Sequence, residues 1–234
     1  MKKVLATALI CAVSSFAAWD YFPVIEDGKG QFKVNLSESR QGYEEDGFAF
    51  GAKVRYSPMA NLELMSKINL GNNYILGARY QIIPVLSAGL DVGFPVPWTA
   101  WSFTPNAQFS MPLTGALELG TNVGVTIYTE DHNKIARGMD LSAGAELDLT
   151  MGQSTIWVSC DFNMGLTVSE YDGQSPSGAK VKDEGRGLEI VPALGYVASV
   201  GNLSVGTSVA LEFGEDAGHE NFNTILGLDF AVKF

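Results

Sequence analysis

The 234 residues hold 26 acids against 15 bases, a formal net charge of −11. Nucleic acid is a poor partner for such a chain, because binding it rests on neutralising phosphates with Lys and Arg. No apolar run beyond residue 18 reaches the roughly 20 residues that a membrane-spanning helix needs, and the 26 glycines argue against long helices altogether.

Lys2 and Lys3 form a positive n-region, Val4 to Val13 an apolar stretch, and Ser15-Phe16-Ala17 a small-residue cleavage site. Residues 1–17 are therefore expected to be a cleaved signal peptide. The apolar stretch is too short for an anchor, and Ile10 stands where a lipoprotein signal would place a small residue before Cys11. Cleavage removes two lysines and leaves Cys160 as the one cysteine, so no intrachain disulfide can form. Residues 18–30 are expected to be a periplasmic leader or a plug. Its run Trp19-Asp20-Tyr21-Phe22-Pro23-Val24-Ile25 is apolar enough to fold back as a plug.

From residue 31 to 234 the pattern has a period of two, the mark of a strand with two different faces. Phe48, Phe50, Ala52, Val54 and Tyr56 alternate with Ala49, Gly51, Lys53 and Arg55. Leu117 to Ile127 and Ile156 to Val168 repeat the arrangement, as do Leu203 to Phe213 and Phe222 to Phe234. Read throughout, the rule yields about twelve strands. Their spans are 31–37, 47–57, 62–69, 74–82, 86–94, 103–111, 117–128, 138–149, 155–169, 187–200, 203–213 and 222–234. Of the 13 phenylalanines, all but Phe16 and Phe22 fall on the apolar face. A soluble sandwich also alternates, but so many strands offer more apolar face than one sandwich core can use.

The connections alternate in length. Glu38–Asp46, Pro95–Ser102, Thr129–Arg137, Glu170–Arg186 and Gly214–Asn221 are long. Pro58–Asn61, Ile83–Val85, Pro112–Ala116, Thr150–Ser154 and Gly201–Asn202 are short, and Leu70–Asn73 breaks the pattern by being short in a long position. Short periplasmic turns, long outer loops and an even strand count are the habit of bacterial barrels. The expected fold is thus an all-β, closed antiparallel transmembrane β-barrel in a bacterial outer membrane, embedded in its lipid. Pro105 and Pro192 sit awkwardly inside strands, where each removes a ladder hydrogen bond. Fraying near the outer end would absorb Pro105, whereas Pro192 calls for a bulge or a strand rising above the membrane.

The last strand, Phe222 to Phe234, resembles the terminal strand of bacterial outer-membrane proteins through Leu226, Leu228, Phe230, Val232 and Phe234. That resemblance implies recognition by the barrel-assembly machinery through Leu228, Phe230, Val232 and the terminal Phe234. It identifies an assembly route, not an activity.

The face opposite the apolar one holds the charges. Its bases are Lys33, Lys53, Arg55, Lys67, Arg79 and Lys233; its acids are Glu63, Asp91, Glu118, Asp140, Glu146, Asp148, Asp161, Glu189, Glu212 and Asp229. Bases gather in the first four strands and acids dominate from the fifth, so the two walls would face one another in a closed barrel. The arrangement reads either as salt bridges across a lumen with trapped water or as an acid-rich polar pore. Barrels of eight strands are filled by side chains and those of sixteen leave a channel, with twelve between them.

Catalytic signals are thin. His132 and His219 lie in outer loops beside Asp131 and Glu220, as a protease at the barrel rim would require, but nothing fixes the geometry of a general base. The acidic clusters Glu44-Glu45-Asp46, Asp183-Glu184 and Glu215-Asp216 could hold divalent cations, yet none has the spacing of a calcium loop. Asp172 to Gly178 reads as a flexible exposed segment. No cofactor, metal or enzyme activity is expected. The reading is a passive channel or small-solute transporter, admitting small solutes or cations, with a non-conducting structural or surface-binding barrel as its rival.

Overall fold

The computed structural model describes residues 24–41, 44–69, 73–95, 101–129, 139–166, 170–174, 180–182, 188–214 and 222–234. The expected signal peptide, the first part of the leader, both histidines, and the clusters at 183–184 and 215–216 lie outside them.

Among the described residues fourteen strands follow one another: β1 Gly30–Gln41, β2 Glu44–Met59, β3 Leu62–Asn69, β4 Asn73–Ile83, β5 Leu86–Pro95, β6 Ser102–Pro112 and β7 Leu117–Tyr128 come first. β8 Met139–Met151, β9 Ser154–Gly165, β10 Glu170–Gln174, β11 Lys180–Lys182, β12 Leu188–Val200, β13 Leu203–Glu212 and β14 Asn223–Lys233 complete the chain. β10 and β11 pair with each other in a small outer hairpin. The other twelve form one closed barrel, each antiparallel to its neighbours, and β1 meets β14 in continuous register from Gln31↔Lys233 to Gln41↔Asn223. Closure leaves the barrel without an open edge, which lipid could not satisfy.

The alternation in the sequence becomes the two surfaces of this wall. Phe50, Val54, Leu90, Val123, Leu194, Leu228 and Phe230 are exposed on the outside. Among the described residues the buried hydrophobics are only Val24, Val197 and Ala231, whereas Arg55, Ser57, Glu63, Arg79, Glu146, Asp148 and Asp229 are buried. A water-soluble domain would show the reverse. Aromatic rings mark the outer interface, where Tyr74 stacks on Phe94 at 5.9 Å and Phe94 meets Trp101 at 5.6 Å.

Short turns close the periplasmic end. At Gly152-Gln153 the single positive φ, 64° at Gly152, falls on the first of two turn residues, as type II′ hairpins require. At Ala60-Asn61 it is Asn61 that takes a positive φ of 66°, beside a register shift between Tyr56 and Met59.

Three expectations change. The connection at Glu38–Asp46 is mostly strand: β1 and β2 run on to Gln41 and Glu44, with a register shift between Ser39 and Arg40. The sequence there is polar at successive positions, so alternation is lost just where a wall rising above the membrane no longer needs it. The segment from Glu170 likewise holds the β10–β11 hairpin, so Asp172 to Gln174 are strand. Pro192 needs no bulge: it pairs with Cys160 in unbroken register with β9. Its missing donor faces β13, where pairing lapses between Ala193↔Ala210 and Ile190↔Phe213. Pro105 behaves alike, being paired with Leu90 of β5 while the β7 ladder skips from Phe103↔Ile127 to Asn106↔Gly124.

Candidate functional site: the charged lumen

The inner wall is built strand by strand, because every second residue of a closed sheet must point inward. On β1 to β3 the register sets Lys33 opposite Lys53 and Lys53 opposite Lys67, a row of three ammonium groups. Like charges so placed repel, and neighbouring acids temper the row: Lys33 Nζ lies 3.6 Å from Asp229 Oδ1 on β14. Nearer the periplasm Arg55 grips Glu63 with a fork, Nε to Oε1 at 2.9 Å and Nη2 to Oε2 at 2.6 Å. Arg79 Nη1 reaches the same carboxylate at 3.4 Å. The backbone N–H of Ile25 donates to Glu63 Oε2 at 3.3 Å, and Val24 beside it is buried. Val24 and Ile25 are therefore inside the mouth at the short-turn end of the barrel.

Each of these ion pairs joins two adjacent strands of the wall. Amides and one phenol also hold the acids. Asn35 donates to Asp229 at 2.8 Å, Asn106 to Asp91 at 3.1 Å, Asn223 to Glu212 at 3.0 Å and Asn163 to Glu189 at 3.5 Å. Tyr128 donates to Asp140 at 2.9 Å. A neutral donor orients a carboxylate and leaves its charge in place. Periodicity does not single these partners out; they follow from the cross-strand register, which places Asn163 opposite Glu189 and Asn223 opposite Glu212.

On the acidic wall Glu118 stands directly opposite Asp148, and Glu146 follows on the same face of β8. Arg55, Arg79, Glu146 and Asp148 are buried among inner side chains; Lys53, Lys67, Asp91, Glu118, Asp140, Asp161, Glu189 and Glu212 are half-buried. Next to Asp148, Trp157 lies across Gly195 of β12, where any Cβ would strike the indole. With Val197 and Ala231 it makes a small apolar patch on the inner wall. Leu228, Phe230 and Val232 line the lipid face of β14, and the exposed Phe234 just after it exchanges backbone hydrogen bonds with Gly30 at 2.8 and 3.0 Å. Among the described residues no group of three His, Cys, Asp or Glu is arranged to hold a metal ion.

The fold is similar to that of solved outer-membrane proteins. The NanC porin matches with a TM-score of 0.62 at 8% identity, over 87% of this chain and 100% of its own. The KdgM porin matches at 0.56 and 14% identity, over 86% and 99%. A bacterial polysaccharide outer membrane secretin matches at 0.51 and 8% identity, over 88% and 98%. No curated protein matches the sequence. A family described as "Putative MetA-pathway of phenol degradation" matches residues 91–226, from β5 into β14. That match takes in more than half of the chain, so this outer-membrane β-barrel belongs to that family.

Proposed function

We propose that the barrel is a passive channel for small solutes, with an acid-rich polar lumen and no catalytic role. The observation that carries this reading is the half-buried ring of charged and amide side chains on the inner wall, where an inert barrel could be packed with apolar ones. The porin neighbours support the same reading. A polyanion such as the oligogalacturonate in the KdgM complex suits this lumen poorly, because acids outnumber bases on it. The half-buried indole of Trp157, seated on the buried Val197 and Ala231, could meet the carbon face of a solute, as the family description's reference to phenol would ask.

Single-channel recording of refolded protein in a planar bilayer tests the proposal. Discrete conductance steps are expected; folded, inserted protein that gives none would establish the rival, a non-conducting structural or surface-binding barrel. Val24 and Ile25 in the periplasmic mouth favour that rival, since they narrow any pore there. If the leader acts as a plug, deleting residues 18–25 should raise conductance.

A further inference from the structure

We propose that the lumen is polarised from side to side and favours small zwitterions, solutes bearing an ammonium and a carboxylate on one short skeleton. The inference rests on the channel reading and names a solute class for it.

The bases of the wall are confined. No Lys or Arg occurs between Arg79 and Lys134, between Arg137 and Lys180, or between Arg186 and Lys233. β5 to β9, β12 and β13 therefore contain none, while β2 and β3 carry Lys53 and Lys67 as a direct cross-strand pair. In the ring of twelve strands β8 stands six places from β2, and β9 six places from β3. The wall diametrically opposite the two lysines thus holds the half-buried Asp161 on β9, with Glu146 buried near it on β8 and adding to its field. The heights agree as well. Lys53 and Lys67 flank the Ala60-Asn61 turn, and Glu146 and Asp161 flank the Gly152-Gln153 turn, at similar separations along their strands. At about 3.3 Å per residue the two pairs share a level to within a few Å.

Protein around the lumen focuses the field between such walls. A lone cation drawn to Glu146 and Asp161 gains nothing at the lysines, and a lone anion meets the reverse. A zwitterion lying across the lumen is stabilised at both ends, whereas a neutral molecule of the same size is stabilised at neither.

Free glycine and its isomer glycolamide make the comparison, since they share a composition and differ in charge separation. Swelling of proteoliposomes at about 0.01 M ionic strength, where screening extends to roughly 30 Å, would report their entry. Wild-type protein should pass glycine several-fold faster. Two variants, Glu146→Gln with Asp161→Asn and Lys53→Gln with Lys67→Gln, each remove one pole. Their KCl reversal potentials should move in opposite directions, the first losing cation preference and the second gaining it. Their glycine advantage should fall in both. Heat-modifiable gel mobility would verify folding, and either variant alone suffices to test a pole. A conducting wild type that passes both isomers equally overturns the proposal. So does a glycine advantage that rises in one variant and falls in the other, which would be simple charge selection. A barrel that conducts no KCl fails one step earlier, overturning the channel reading and this inference with it.

Discussion

Glu63 is 1% exposed and serves three partners at once: the Arg55 fork, Arg79 and the Ile25 amide. A carboxylate so deep in the wall is stabilised only because its partners are fixed around it. Glu63→Ala would leave two guanidinium groups side by side in the periplasmic mouth and release the end of the leader. The expected loss is about 3–5 kcal/mol, the range for removing one partner of a buried pair, read from unfolding in lipid vesicles. A loss below about 1 kcal/mol, as for exposed pairs, would show that water reaches Arg55 and Arg79 and that the burial is not maintained in the membrane. The two strand prolines make a different point at this scale. Each directs its missing donor toward one neighbour and keeps register with the other, so a single absent hydrogen bond is confined to one seam.

Within a strand, neighbouring positions live in different solvents. Val123 faces lipid near the middle of β7 and Asn122 faces the lumen one residue earlier. Val209 holds the corresponding mid-strand place on β13. Val123→Arg and Val209→Arg should each destabilise the barrel by about 2–4 kcal/mol, with smaller losses toward the interfaces. Leu119→Arg, nearer the periplasmic turn, should therefore be milder than Val123→Arg. Asn122→Arg adds a charge to an aqueous, acid-rich wall and should be close to neutral. Equal losses at positions 122 and 123, measured by unfolding in lipid, would contradict the assignment of faces.

The whole molecule depends on closure and on the summed charge of its interior. Phe234 directly follows β14, exchanges backbone hydrogen bonds with Gly30 and lays its ring over that residue. Deleting it should lower the yield of folded barrel in cells while leaving export across the inner membrane intact, because the closing seam loses its last pair. Heat-modifiable mobility and fractionation would report the two steps separately, and an unchanged folded yield would show the terminal aromatic to be dispensable. An open lumen should also prefer cations, since charged groups inside a pore set its selectivity. Neutralising Asp140, Glu146 and Asp148 together should weaken that preference in reversal-potential measurements. The preference should fade toward 1 M salt, where screening shortens to about 3 Å. Anion selectivity in the native barrel would mean that the leader or outer loops reshape the lumen's field.

The barrel class, its twelve membrane strands to within a few residues and the inward or outward direction of Lys53, Asp148 or Phe230 could all be read from the amino-acid order. Lipid on one side and water on the other impose opposite polarities on successive side chains, and that rule needs no knowledge of the neighbouring strand. Above the membrane the rule lapses. There the continuation of β1 and β2 and the β10–β11 hairpin were not legible, since their polar sequences carry no alternation of faces. Equally hidden were Asn163 as the partner of Glu189, the Arg55–Glu63–Arg79 cluster and the indole of Trp157 over Gly195. Each depends on which residues the register brings level, and register is settled by hydrogen bonds between segments and by the closing pair of β1 with β14. The separation of bases from acids is written along the chain. Only the ring of twelve strands turned that separation in sequence into two walls facing each other across a lumen.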